Sequence, residues 1–396
     1  MMKKSFLTCL VLCLSMLFCF PARAEYDALL AVGGSFVYTR DRSGVVRVWG
    51  DNQYGQLGKG SNHQNKNPSV FKSKNEQLDP LQIKGIYTGC DYSYFLMNDG
   101  AIYGVGNNLN GALTVKNGYC STHVRINLDD NTITTIAGGF GHTLALNAAG
   151  EVYAWGRNNA GQVGNGKTVA VYTPVKLPLQ NIVAIAAGGK FSVALDRDGV
   201  LWGWGSNENH ELADNNTKLF CEPVRIDTGD LKIKMIDAGG SFVAVVDENG
   251  ILYMWGVNHE NQLGFDSSGA DVTKPHAVTE LPLPVVYLAA YSSQTYVILS
   301  DGSLWGWGNN TYGQLGLGFR TASGKGVTVN KIYDEKPVVM VQGGSLCMTA
   351  MLDDGTLLAA GINKFGQLGL ATKEYEIATI FENGFNLYTS SDGNNS

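Results

Sequence analysis

Six histidines are the first candidates for chemistry: His63, His123, His142, His210, His259 and His276. They scatter along the chain with no spacing that would converge two of them on a metal or a substrate. No H-E-x-x-H, G-x-S-x-G or phosphate-loop pattern occurs, so zinc hydrolysis, serine acyl transfer and nucleotide cradling lack their residues. Seven cysteines fall to four if the N-terminal segment is removed: Cys90, Cys120, Cys221 and Cys347. They show no CxxC spacing and no flanking histidine, which argues against a metal site. They read as small buried thiols, with Cys90–Cys120 the one pair to test as a disulfide. Asp99, Asp198, Asp301 and Asp354 each precede a glycine, where turn formation accounts for a carboxylate. No catalytic residue, metal or cofactor is expected, although loops from several repeats could still assemble an enzyme site.

The elements that would position any site are repeats. Turn glycines at Gly44, Gly100, Gly150, Gly199, Gly250, Gly302 and Gly355 recur every 49 to 56 residues. Each turn lies between apolar runs, as in Val193-Ala194-Leu195 before Asp198-Gly199, which is the sequence of a tight β-hairpin. Five residues beyond each turn glycine comes Trp or a small apolar residue, then Gly, then one residue, then Asn. The asparagines are Asn52, Asn108, Asn158, Asn207, Asn258, Asn310 and Asn363. One polar residue kept in every copy suits backbone bracing better than seven active sites. Five copies carry a double glycine ahead of the hairpin.

Seven such units predict an all-β, seven-bladed β-propeller of four-stranded antiparallel blades. The chain begins its first repeat at Leu29-Leu30-Ala31-Val32 and ends its last with Tyr375–Phe381. That arrangement predicts a ring closed by a C-terminal strand joining the N-terminal blade. Residues 1–24 read as a signal peptide: Lys3 and Lys4, an apolar run Phe6–Phe20, and Ala22-Arg23-Ala24 before the cut. The propeller domain is expected over 25–387 and a disordered tail over 388–396. Losing Lys3, Lys4 and Arg23 takes the formal net charge from −6 to −9, against binding to nucleic acid or an anionic membrane. An exported monomer, periplasmic or secreted, is expected.

Trp155-Gly156-Arg157-Asn158-Asn159-Ala160-Gly161-Gln162-Val163-Gly164 and Trp307 to Gly316 carry W-G-x-N-x-x-G-Q-L-G. This run resembles the regulator of chromosome condensation repeat family over nearly all of residues 28–381. The resemblance implies a seven-bladed propeller that serves as a binding platform, without fixing one activity. Some members exchange guanine nucleotide on a small GTPase through a wedge-like insertion; here the third motif has no insertion, and the long Lys59–Thr88 connection follows the first. The plant ultraviolet-B receptor carries repeated G-W-R-H-T, approached here only by Gly139-Phe140-Gly141-His142-Thr143. Secreted bacterial propellers of similar repeat type include β-lactamase inhibitory proteins, which bind a protein across one face. The leading expectation is a non-enzymatic scaffold that binds a partner protein, with a guanine-nucleotide-exchange-like protein as the alternative and a loop-built enzyme as a further one. The residue before the motif's second glycine varies most, and Tyr54, Tyr312 and Phe365 would adjoin on a closed ring as a partner-binding rim.

Overall fold

A computed structural model describes residues 29–75, 77–116, 118–214, 218–370 and 376–388. The expected signal peptide and residues 389–396 lie outside the described residues. Seven four-stranded antiparallel sheets follow one another along the chain. Blade 1 consists of Leu29–Val32, Phe36–Arg40, Val46–Gly50 and Asn65–Val70. Blades 2 to 7 span 83–125, 133–176, 182–225, 233–277, 285–333 and 338–386. Each blade runs from an inner strand at the axis to an outer strand at the rim. Among the described residues the one helical element is the 3-10 turn Pro80–Gln82, capped by the Asp79 carboxylate.

The second strand of each blade packs on two neighbouring sheets, so both its faces are buried. Tyr92–Met97, His142–Asn147 and Phe242–Asp247 are buried at every position. Continuous apolar runs rather than alternation follow from that placement. The outer strands are edges, and four of them carry proline: Pro68, Pro174, Pro223 and Pro275. Proline cannot donate to an added strand and so blunts the edge. The glycine after the Trp position needs its missing side chain. Gly50 has φ +107°, and a Cβ there would lie 2.5 Å from the Ser35 carbonyl oxygen.

The Trp position joins consecutive blades. The indole Nε1 of Trp155, Trp204, Trp255 and Trp307 donates to the carbonyl of Ala112, Gln162, Glu211 and Gln262, each in the motif loop of the preceding blade, at 2.7–3.0 Å. Blades 2 and 7 have Val105 and Ala360 instead. There the waiting carbonyl takes a hydroxyl from its own blade: Tyr38 Oη donates to Gln56 O at 2.9 Å and Tyr296 Oη to Gln314 O at 3.0 Å. The Lys59–Thr88 connection fills the rest of the gap left by Val105. Its Phe71 and Leu78 are buried, and Phe71 stacks on Phe95 with centroids 5.5 Å apart.

Ring closure differs from the sequence expectation. The last strand, Glu376–Asn386, pairs with Thr356–Ile362 and completes blade 7, while blade 1 supplies its own outer strand Asn65–Val70. Because each blade is four consecutive strands, none is left for a terminal segment to complete. Blades 7 and 1 are fastened by the same contacts as the others. Trp49 Nε1 donates to Gln367 O at 3.0 Å, and its ring stacks on Phe385. Ser345 N donates to Gly34 O at 2.8 Å and Val32 N to Gln342 Oε1 at 3.0 Å. Tyr388, at the start of the expected tail, lies under Arg42, whose guanidinium carbon is 3.5 Å from the ring centroid.

Removal of residues 376–396 should lower the melting temperature and raise amide exchange in Thr356–Ile362, leaving Val46–Gly50 protected; hydrogen-exchange mass spectrometry reads both. Tyr38→Phe leaves the buried Gln56 carbonyl with only the long 3.5 Å contact from Ser93 Oγ and should cost about 1–3 kcal/mol in urea denaturation. Tyr94→Phe should cost clearly less, since Trp155 still donates to Ala112 O at 2.7 Å.

Candidate partner-binding face

The turn between the inner and second strands and the motif loop between the third and outer strands emerge at the same end of every blade. This motif end is held rigidly by side chains the sequence repeats. Each motif asparagine accepts at Oδ1 from the backbone N five residues on: Leu57, Leu113, Val163, Leu212, Leu263, Leu315 and Leu368, at 2.7–3.0 Å. Its Nδ2 donates to carbonyls farther along the loop, such as Ser61 and His63 for Asn52. The motif glutamine folds back in the same way, Gln162 Oε1 accepting from Ala160 N at 2.8 Å. These oxygen acceptors are spent on the loop itself. His210 and Asn261, which replace a motif glycine, adopt φ +61° and +54° and keep the left-handed turn the glycine makes elsewhere.

The inner turns meet around the axis through backbone hydrogen bonds. Gly34 N donates to Cys90 O, Gly189 N to Gly240 O and Gly240 N to Ser292 O, at 2.7–3.0 Å. The double glycines of blades 1, 4 and 5 have two uses. The first leaves room for the aromatic ring three residues on, as Phe36 over Gly33. The second allows a neighbouring blade's carbonyl to approach, as Cys90 O at Gly34.

Tyr54, Tyr312 and Phe365 are each half-buried. The glycine after Tyr54 lies against Ser121 in the outer strand of blade 2, and the glycine after Phe365 lies against Lys66 in that of blade 1. The three thus occupy equivalent places on successive blades. No ring contact joins them among the described residues. More exposed apolar side chains lie elsewhere, on blades 2 and 3, and the sequence reading missed them. Leu109 is 65% exposed, Tyr119 50%, Val169 72% and Tyr172 46%. The Tyr172 ring rests on Gly111 of the neighbouring loop, where a Cβ would come within 2.8 Å of Cδ1. Leu109 in turn reaches Gly118, beside Tyr119. The available signal was apolar residues at loop positions where other copies have Gln53, Asn159 or Glu208.

Inboard of this patch is a cavity of about 180 Å³ between Cys90-Asp91, Asn107, Asn110 and Phe140-Gly141. Burial, then the charge of Asp51, raises the Asp91 carboxyl above its ordinary value. The four cysteines are free. Burial pushes the Cys90 thiol up to about 11 and Cys347 to about 12, which removes them as thiolate nucleophiles near neutral pH. Two histidines are packing residues. His142 is fully buried with Nε2 2.9 Å from Ser192 Oγ. His123, at the register position of the edge prolines, sits edge-on to Phe95 with neither nitrogen hydrogen-bonded.

The architecture defines the class: a propeller whose seven blades are copies of one motif, offering loops at one end. The regulator of chromosome condensation (RCC1) repeat matches residues 43–96, 149–195, 198–246 and 301–349, and a second description of that repeat matches 133–162, 182–211 and 285–314. The chain belongs to this family. It is 31% identical over 351 residues to the ultraviolet-B receptor UVR8 of Arabidopsis thaliana, covering 86% of this chain and 78% of that protein. It is 30% identical over 362 residues to human E3 ubiquitin-protein ligase HERC2, covering 89% of this chain but spanning 6% of HERC2. Prp20p of Saccharomyces cerevisiae shares the fold with TM-score 0.77 at 21% identity, over 92% of this chain and 89% of that one. Human WBSCR16 does so with TM-score 0.70 at 24% identity, over 81% and 85%.

Burial lowers His142 to about 4 and His123 to about 3. Both are neutral in the folded chain, so below about pH 6.5 the unfolded chain binds more protons and stability falls with pH, by about 1.4 kcal/mol per pH unit per histidine. Blades 4 and 5 have Phe191 and Phe242 at the His142 position. His142→Phe should therefore flatten the slope of unfolding free energy between pH 6 and about 4.5, by roughly one proton's worth; urea melts across that range test it.

Proposed function

We propose that this chain is an exported, non-enzymatic scaffold that binds a partner protein through the motif end of blades 2 and 3. The observation that carries this reading is four large apolar side chains exposed at the motif end of neighbouring blades, Leu109 and Val169 on loops and Tyr119 and Tyr172 at the starts of outer strands. An exposed apolar cluster with aromatic members, rimmed by polar residues, is the composition of a protein contact site. The bracing supports it further: the loops are ordered in advance by the asparagine and glutamine hydrogen bonds, so little entropy is lost on docking. The Tyr54, Tyr312 and Phe365 rim enters the proposal as a secondary contact, because each of the three is half-buried.

Two features support the wider setting. The basic start, apolar run and Ala22-Arg23-Ala24 direct export with cleavage before Glu25. The Prp20p structure is reported with binding properties toward Gsp1p and histones, a precedent for protein partners on this fold.

The combined variant Leu109→Ser, Tyr119→Ser, Tyr172→Ser should keep the wild-type melting temperature within a few degrees. In affinity capture from the extracytoplasmic fraction, with a mature chain beginning at Glu25 as bait, it should lose the partner the wild type retains. Equal capture by both proteins would overturn the assignment of this patch, and loss of capture by Tyr54→Ala, Tyr312→Ala, Phe365→Ala alone would move the site to that rim.

A further inference from the structure

The junction of blades 2 and 3 breaks the repeat at the turn that faces the axis. The middle residue of this turn is Gly or Ser in five blades: Gly34, Gly189, Gly240, Ser292 and Ser345. In blades 2 and 3 it is Cys90 and Phe140. The next residue is Ser35, Lys190, Ser241, Ser293 or Leu346 in those five, and Asp91 and Gly141 in blades 2 and 3. Four consecutive-blade positions thus depart together, and their departures form one space. Gly141 has φ +121°, and an added Cβ would sit 3.2 Å from Asn110 Nδ2 and 3.4 Å from Arg157 Cβ. Its missing side chain opens the cavity of about 180 Å³. Phe140, Asp91, Asn107 and Asn110 all line it.

The chemistry of the walls selects an occupant. Asp91 is a half-buried carboxylate whose hydrogen-bond partners are Cys90 and Asn107, with no basic side chain among the groups that act on it. A carboxylate withdrawn from water without a cation is costly, and an incoming positive charge relieves that cost. Asn107 Oδ1 already accepts from Leu109 N at 2.9 Å, so the carboxylate is the acceptor this wall offers, and a planar cation can also lie against the Phe140 ring. The space exceeds the roughly 150 Å³ that holds a benzene ring, enough for a guanidinium with part of its stem. The exposed Leu109 and Tyr172 lie outboard, on the loop that carries Asn110 and on the strand packed against it.

We propose that the cavity between Asp91, Asn107, Asn110 and Phe140 is a recognition pocket for a guanidinium group, an arginine side chain of the partner whose flanking apolar residues rest on Leu109 and Tyr172. This rests on the protein-binding reading above for its partner, but the pocket itself can be tested without one.

N-acetyl-L-arginine amide serves as the probe, titrated into the full chain and followed by amide chemical shifts. N-acetyl-L-citrulline amide is the uncharged match. Saturable shifts centred on Asp91, Asn107, Asn110 and Gly141 are expected for the arginine probe, with binding at least about tenfold weaker for citrulline. Asp91→Asn, which preserves shape, should weaken arginine binding by a similar factor while leaving the melting temperature unchanged or higher. Phe140→Gly, which restores the residue found in three other blades, should weaken it as well. No saturable shift in the wild type, equal binding of the two probes, or full binding by Asp91→Asn would overturn the pocket. If arginine binding survives in the Leu109, Tyr119, Tyr172 variant and that variant still captures its partner, the pocket stands and the patch reading fails. If the patch variant loses its partner while Asp91→Asn binds the probe like the wild type, the reverse holds.

Discussion

One contact recurs at every blade junction: a buried N–H or O–H donor meets the carbonyl at the glutamine position of a motif loop. Five times the donor is a tryptophan of the following blade, and twice, where that blade has Val105 or Ala360, it is Tyr38 or Tyr296 of the blade that owns the loop. The carbonyl is buried, so leaving it unpaired would cost more than a hydrogen bond ordinarily contributes. The donor also brings a large ring into the space between sheets, which ties hydrogen bonding to packing at one point. The loop so anchored is the loop that presents side chains at the motif end. Blade order, ring closure and the rigidity of the binding face therefore follow from one interaction.

That dependence explains why the repeat is so uniform inside the loops and so variable on their tips. Asn, Gln and Gly in W-G-x-N-x-x-G-Q-L-G satisfy backbone groups or permit turns, and loss of an asparagine leaves the backbone N–H five residues on without its acceptor. Leu109, Tyr119, Val169 and Tyr172 satisfy nothing within the ring. The Cys90-Asp91 and Phe140-Gly141 departures replace the residues that the other five blades place at these turn positions, and they leave a cavity between them. Surface apolar groups and a withdrawn carboxylate both reduce stability, so a ligand that covers one and neutralises the other is the physical counterpart of both.

Much of the fold was legible in the chain. The 49 to 56 residue period, the hairpin turns at Gly44 through Gly355 and the edge prolines reflect constraints local to one blade, and local constraints leave periodic traces. The outer strand of blade 1 was assigned wrongly because Asn65–Val70, Asn-Lys-Asn-Pro-Ser-Val, has little apolar character. As a rim strand it needs none. Tyr54, Tyr312 and Phe365 stood out because they are aromatic at a variable position, but each is half-buried in the folded ring. Leu109 and Tyr172 were overlooked because exposure depends on which strand of the next blade comes alongside.

The sequence alone determined seven β-hairpin units, their turns, their braced loops and membership of a repeat family, because each of these is decided within about fifteen residues. The tertiary structure decided how the ring closes, which donor serves each buried carbonyl, and where apolar surface is left uncovered. Those outcomes depend on residues that are distant in the chain, such as Trp49 with Gln367 or Gly111 with Tyr172. Only closing the ring brings them together.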